Sequence, residues 1–397
     1  MNNAAIIATT GLVAAILFHP RLSDSKGWRA TVTPLASIIG SGFLVIGPIL
    51  DASFGYLAPI AMAALCTVAI LFGAAIRRNI ARIAEVGERS VAERVLDRAA
   101  SWVLATAYAV SVAYYLNLLG AFSVSLTAHD DPATARIVAT AALLFIAFIG
   151  WTRGFSALEG LEKISVSLKL AIIAGLLLGL GIHFGDRFAA GDLILNPIQT
   201  TGWNAVWLIF GLLVTVQGFE TSRYLGEDYD PQTRIASMSR AQWVSAGIYM
   251  VYILLLSFLF PAGTIPQRET AIISLMELVA PVLPALLVSA ALAAQFSAAV
   301  ADTAGSGGLL HELTGGKIAP RTGYVLLAGI SLVLTWSANV FEIITIASRA
   351  FAGYYALQSA VAAAGYWISG RVAGATGFAA LGVLGVLIAF LGMPFAG

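Results

Sequence analysis

The sequence predicts an all-α membrane protein, a bundle of about twelve transmembrane helices with no soluble appendage. Three observations carry that expectation. Of the 397 residues, 59% are hydrophobic and 11% charged, where a soluble domain carries roughly a quarter charged residues. Mean hydropathy is +0.88, more apolar surface than a soluble core hides. The apolar residues also fall into runs close to the ~20 residues that one crossing of the hydrocarbon slab needs, and helices satisfy every backbone polar group there.

Twelve runs can be traced: 4–18, 31–50, 56–76, 100–126, 136–151, 161–184, 201–222, 241–262, 283–308, 322–337, 341–367 and 375–394. The first, taken as helix 0, has no basic residues before it and no small-residue cleavage site after it, unlike a secretory signal. It reads as a short retained span. Runs 31–50 and 201–222 (helices 1 and 6) are interrupted by glycine and polar residues at mid-depth. Between helices 2 and 3, residues 77–98 mix six arginines with apolar residues at helical spacing. That pattern fits either an amphipathic segment lying on the membrane surface or a solvated connector. Before the ninth run, residues 265–284 are long for a loop and bracketed by prolines, which predicts a short helix capping a vestibule.

Alternating sides along the twelve runs places 17 of the 22 Lys and Arg in one set of connections. The other set holds only Arg136, Arg187 and Arg268. Positive charge marks the cytoplasmic side, so the amino terminus is expected outside, in a bacterial-type inner membrane. Lys169 and Arg349 remain, both inside predicted helices.

The formal net charge of +1 argues against a nucleic-acid partner, which draws a clear Lys and Arg excess. The single cysteine, Cys66, excludes a disulfide or a cysteine metal cluster and reads as packing. His19, His129, His183 and His311 are scattered, and His311-Glu312 lacks a second histidine four residues on, so no zinc-protease pattern exists. The chain is therefore expected to be no enzyme, with no cofactor and no metal. Its expected partners are the lipid bilayer and a small molecule.

Helix 1 carries TPLASIIGSGFLVIGPIL, where Gly40-Ser41-Gly42 permits either unwinding or close helix packing. Five spans later, helix 6 carries Thr215, Gln217, Gly218 and Glu220. Interrupted helices at matching positions in two halves point to an inverted-repeat transporter holding substrate at the midplane.

IIGSGFLVIGPILDASFGYLAP in helix 1 resembles the Gly-Ser-Gly signature of the amino acid-polyamine-organocation (APC) superfamily. Gly-Phe-Glu in helix 6, GLEKISVSLKLAIIAGLL in helix 5 and AFAGYYALQSAVAAAGYW in helix 10 are similar to the same family's segments, so that the resemblance spans roughly residues 31–394. It implies a LeuT-type fold of two inverted five-helix repeats, residues 31–200 and 201–370. An extra helix would precede them in residues 1–30 and follow in 371–397. The implied activity is secondary transport of an amino acid or related amine, sodium-independent and coupled to a proton or to exchange; a sensor or channel on the same fold is the alternative. The carboxylate would meet Ser41, Gly42 and Phe43 beside Gly40. The amine would meet carbonyls near Ile38, Ile39, Val214, Thr215 and Val216, ahead of Gln217 and Gly218. A half-helix amino terminus is partly positive and an unwound carboxyl end partly negative, which suits a zwitterion. Helix 6 departs from the family in having Val214 and Val216 where aromatics often stand.

Lys169 lies mid-helix, where an ammonium is expensive unless paired or facing a cavity. The resemblance gives it the place of a sodium ion against helix 1, beside the readings of a snorkelling or structural lysine. Asp302, with Ser297, Thr303 and Ser306 around it, is read four ways: paired with Lys169, carrying the coupled proton, binding a substrate amine, or tied to Arg349. Glu220 is expected to bond neighbouring helices rather than substrate. Tyr114, Tyr115 and Asn117 either line the site or pack.

Overall fold

The structure, a computed structural model, describes residues 2–40, 42–86, 89–152, 156–225, 229–264 and 268–395. Among them every regular element is helical. Helices α1 (Asn2–Phe18) and α2 (Pro20–Ser23) precede α3 (Lys26–Ile38) and α4 (Gly42–Phe54), the two pieces of the second apolar run. Then come α5 (Ala58–Glu85), α6 (Val91–Val124), α7 (Pro132–Thr152) and α8 (Ser156–Ala190). After an extended stretch, α9 (Gly202–Gly211) leads into two 3-10 turns, Leu213–Val216 and Phe219–Tyr224. The remaining helices are α10 (Pro231–Leu256), α11 (Ala271–Val279), α12 (Leu283–Leu313), α13 (Pro320–Ser337), α14 (Val340–Ile368) and α15 (Val372–Leu391).

Seven helical stretches are long and apolar enough to cross a membrane by length and composition: Gly42–Glu85, Val91–Val124, Pro132–Thr152, Ser165–Ala190, Leu283–Leu313, Val340–Ile368 and Val372–Leu391. Large side chains such as Leu12, Ile60, Leu144, Phe148, Val333 and Phe390 stand exposed on the bundle's outside. Large apolar side chains exposed in such numbers suit lipid.

Local sequence sets the helix ends. Ser90 and Glu93 form a reciprocal capping box that starts α6, and Asn339 with Glu342 does the same for α14. Asp230 caps α10 ahead of Pro231 at its first position. The polar stretch 77–98 is not a separate surface helix: α5 runs on through Arg77, Arg78 and Arg82 to Glu85, and α6 begins at Val91. Alanine, isoleucine and arginine give no stop signal there. The short helix expected within 265–284 is α11, whose buried face packs on α4, α8 and α12.

Helix α6 is the central post. Of its apolar window 89% is buried, against 28% for α7 and α15, and it packs on α7, α12, α13 and α14. Apolar contact alone drives little association inside lipid, so interhelical hydrogen bonds matter more, at about 0.6 kcal/mol each on average. Asn117 of α6 donates to Thr335 of α13 at 2.9 Å, Ser331 of α13 to the Ala109 carbonyl at 2.7 Å, and Asn79 of α5 to Gln358 of α14 at 2.8 Å.

Candidate functional site

Helix α3 stops at Ile38, short of the glycine pair, and α4 resumes at Gly42. A helix that ends inside a bundle leaves its last carbonyls without intrahelical donors. Two side chains from other helices supply them. The ammonium of Lys169 on α8, 3% exposed, donates to the Ala36 carbonyl at 2.8 Å. The hydroxyl of Tyr249 on α10 lies 3.0 Å from the Ile38 carbonyl.

The second break is built the same way. Helix α9 ends at Gly211, and Ser348 of α14 bridges the gap, donating to the Gly211 carbonyl at 2.7 Å and accepting from the Val214 amide at 2.9 Å. Gly218 adopts φ +116, a conformation that side chains resist. Its amide donates to Glu220 at 3.0 Å, and Tyr355 of α14 donates to the same carboxylate oxygen at 2.8 Å. Glu220 thus ties the turn Phe219–Tyr224 to α14.

The two breaks meet. A Cβ on Gly42 would sit 2.6 Å from the Thr215 Cα, and one on Gly218 would run into Ser37, so glycine at both positions permits the approach. The Tyr249 hydroxyl, 3.0 Å from the Ile38 carbonyl, is also 2.6 Å from the Thr215 carbonyl. One hydroxyl proton serves one carbonyl at a time, so two negative ends share a single donor. Phe43, at the start of α4, packs its ring against Tyr249 and Tyr252, with centroids 5.4 and 4.4 Å away.

The structure therefore brings together Ile38, Gly42, Phe43, Thr215, Gly218 and Lys169, with Ile39, Gly40, Val214 and Val216 in the connecting backbone. Ser41 lies outside the described residues. Gln217 donates to the Tyr115 hydroxyl at 3.2 Å, and its own amide oxygen has no partner among the described residues. Tyr114 is buried with its ring 5.2 Å from that of Tyr115. Asp302 accepts a short hydrogen bond from Ser111 of α6. Ser297 and Thr303 bond back to Ala294 and Ala299 of their own helix, a local pairing open to hydroxyls in helices.

Arg349 does not join this group. Its guanidinium turns outward onto α15, donating to the Ala389 carbonyl at 2.8 Å and the Phe390 carbonyl at 2.6 Å. There it caps the last turn of α15, where cations are favoured. The tie between Arg349 and Asp302 is thus replaced by a helix cap. Three functional groups escaped the sequence reading: Tyr249, Ser348 and Tyr355. Each stands in a run that reads as apolar, and only the tertiary fold aims its hydroxyl at a break.

One end of the bundle is closed by charge. Arg223, beside the second break, makes a short ion pair with Asp97 of α6 and a 2.5 Å bond to Gln358 of α14. Asp97 also pairs with Arg89 at 2.8 Å. Nearby, Arg82 of α5 pairs with the fully buried Glu93 at 2.5 Å.

An all-helical bundle with an apolar exterior, built around two split helices and several buried charges, is the class of a membrane protein. The particular family follows from its sequence, which over residues 20–392 matches a family described as APC superfamily transporter. A protein of Aquifex aeolicus (strain VF5), itself described as uncharacterized, is similar, being 41% identical over 367 residues that cover 90% of this chain and 89% of that one. The chain belongs to the APC superfamily of transporters.

Proposed function

We propose that this protein is a secondary active transporter that moves an amino acid or a related small zwitterion across the inner membrane by alternating access. The observation that carries the reading is the convergence of the Ile38 and Thr215 carbonyls on the Tyr249 hydroxyl. A substrate ammonium brings three donors where the phenol brings one, so an amine can replace that hydroxyl and satisfy both carbonyls. The positive end of α4, beginning at Gly42, would take the carboxylate, with Gly40, Ser41 and Phe43 around it. Tyr114, Gln217 and Gly218 would border the same space.

On this reading the twelve runs are twelve spans, arranged as two inverted repeats at 31–200 and 201–370 with one extra helix at each end. The amino terminus and the end opposite Arg223 face outward. Lys169 on the Ala36 carbonyl supplies a fixed positive charge at the first break, the place where a sodium ion would otherwise neutralise exposed carbonyls. Transport is then sodium-independent, by proton coupling or exchange. Counterflow in proteoliposomes tests the proposal. Labelled amino acid is expected to accumulate against unlabelled amino acid without a sodium gradient, and accumulation is lost in Lys169→Ala. Binding without counterflow for every amino acid tried would replace the transporter with a sensor; sodium-driven uptake that survives Lys169→Ala would end the coupling assignment.

A further inference from the structure

Helix α4 ends in a buried acid that none of the contacts above uses. Asp51 lies in its last turn, 1% exposed. One carboxylate oxygen accepts from the Asn196 amide at 3.2 Å, and the other has no hydrogen-bond partner among the described residues. Three effects oppose a bare anion there. Burial removes its hydration, the carboxyl end of a helix is partly negative, and a single neutral donor at 3.2 Å is a weak substitute for water.

The neighbouring groups do not supply a cation. Helix α10 contributes Tyr252, whose buried hydroxyl likewise has no hydrogen-bond partner among the described residues. That hydroxyl lies over Gly47, one helical turn before Asp51 on the same face of α4. The extended segment before α9 contributes Asn196, which also donates to the Phe260 carbonyl at 2.8 Å and accepts from the Ala262 amide at 2.9 Å. On α11 the acid is Glu277, exposed, and on α8 His183 is set behind the Phe260 ring, 6.4 Å from it. No ion pair involving Asp51 occurs among the described residues.

We infer that the unpartnered oxygen of Asp51 is a proton-binding site, bordered by the Tyr252 hydroxyl and linked through Asn196 to the segment that covers this end of α4. Two oxygens are too few to cage a metal cation, which takes about six or more, whereas a proton needs one. The proton comes from water on the side this end faces. It forms the O–H bond on the free oxygen and returns to water when that bond breaks. Asn196 makes the site mechanical. The Gln199 and Thr200 amides donate to the Ser53 carbonyl at 3.1 and 2.9 Å, and the Tyr56 amide donates to the Asn196 carbonyl at 3.1 Å. The covering segment is thus stitched to α4 around Asp51. That the proton is the coupled ion rests on the transporter reading above; that Asp51 binds it does not.

Infrared difference spectroscopy on the full-length protein in lipid nanodiscs, acid minus alkaline and without substrate, tests the site. The expected result is a protonated-carboxyl C=O band that disappears in Asp51→Asn, persists in Glu220→Gln and Asp302→Asn, and changes frequency in Tyr252→Phe and Asn196→Ala. The last two variants carry the test should Asp51→Asn not fold. A band untouched by all three changes around Asp51 overturns the proposal, and so does a band that sodium chloride abolishes where choline chloride does not. A wild-type protein that shows no such band yet retains counterflow would sink this site alone; counterflow absent from a wild type that shows the band would sink the transporter alone.

Discussion

Removing a single oxygen tests how the two breaks are held. In Tyr249→Phe the ring stays, fully buried against Phe43, so no cavity opens in the core. What is lost is the one donor shared by the Ile38 and Thr215 carbonyls. Leaving a buried acceptor unsatisfied costs about 1–3 kcal/mol, and here the cost falls on the closed arrangement, because water reaches both carbonyls once the helices part. A shift of ~1–3 kcal/mol changes a two-state population by about 5–150-fold. The chain carries its own reporter: Cys66, its single cysteine, is buried and lines a small void together with Ile38, Val216, Gln242 and Tyr249. Maleimide modifies it only when this region opens, so in the fast-opening regime the labelling rate follows the open population. Labelling of the variant is expected to rise by about 5–150-fold with an unchanged circular dichroism spectrum. A rate equal to wild type, with unchanged melting, would refute the shared-donor account.

Glycine substitutions separate conformation from packing. Gly218→Ala forces a side chain into φ +116 and onto the Ser37 backbone and should cost well above the ~1–2 kcal/mol of a left-handed residue, lowering the melting temperature sharply. Gly247→Ala, exposed within α10 with nothing near its Cβ direction, should stabilise by about 0.5–1 kcal/mol. At the charged end, Arg223→Gln or Asp97→Asn alone strands a largely buried charge and should cost about 3–5 kcal/mol. The double variant should fall well short of the sum, and strict additivity in denaturation would show that the pair is not coupled. Asp230 accepts from the Thr233 amide and hydroxyl at 2.8 and 2.7 Å and from Lys26 at 3.0 Å, which together hold its carboxyl below the usual range. The native state thus gains stability from the ionised form. The stability difference between wild type and Asp230→Asn should be full above the ordinary carboxylate range, shrink as pH falls through it, and vanish below the depressed native value.

The broken helices were legible because glycine and polar residues are conspicuous inside apolar runs, where each has an energetic cost. Gly40 to Gly42 and Thr215 to Gly218 needed only the sequence. Lys169 was legible as a buried charge for the same reason, but a contact with helix 1 was only what the family resemblance implied, and the charge alone named no partner. Tyr249 and Ser348 were not: a serine hydroxyl in a helix can bond its own backbone as well as reach across, and nothing in IYMVYILLL distinguishes Tyr249 from Tyr252. Arg349 was misplaced because a lone cation in an apolar helix does not announce its face. Its carbonyl partners belong to α15, forty residues on, and sequence spacing carries no trace of that contact. Asp51 passed as the end of a run, since its isolation is visible only once the surrounding groups are placed.

The two ends of the bundle are held differently, and that difference sets an order of opening. The ion pairs around Arg223 are largely buried, whereas at the Asp51 end the pair of Arg268 with Asp130 at 2.7 Å is partly exposed and contributes little. Around Arg223, separation breaks buried ion pairs to Asp97 and bonds to Gln358 and Tyr354 by way of Tyr224. Charged hydrogen bonds of this kind are roughly twice as strong as neutral ones, and stranding either partner adds a desolvation penalty. Around Asp51 the stitching is neutral: backbone amides to Ser53 and Asn196, and one side-chain amide to the acid. Opening there admits water to groups that lack it, including the unpartnered oxygen of Asp51 and the hydroxyl of Tyr252, so hydration offsets part of the lost bonding. The Asp51 end should therefore open more readily from this closed form. If the proposed transport of an amine is right, a substrate ammonium entering from that side would reach the Ile38 and Thr215 carbonyls while the Arg223 network still holds the other end, the order of events that alternating access requires.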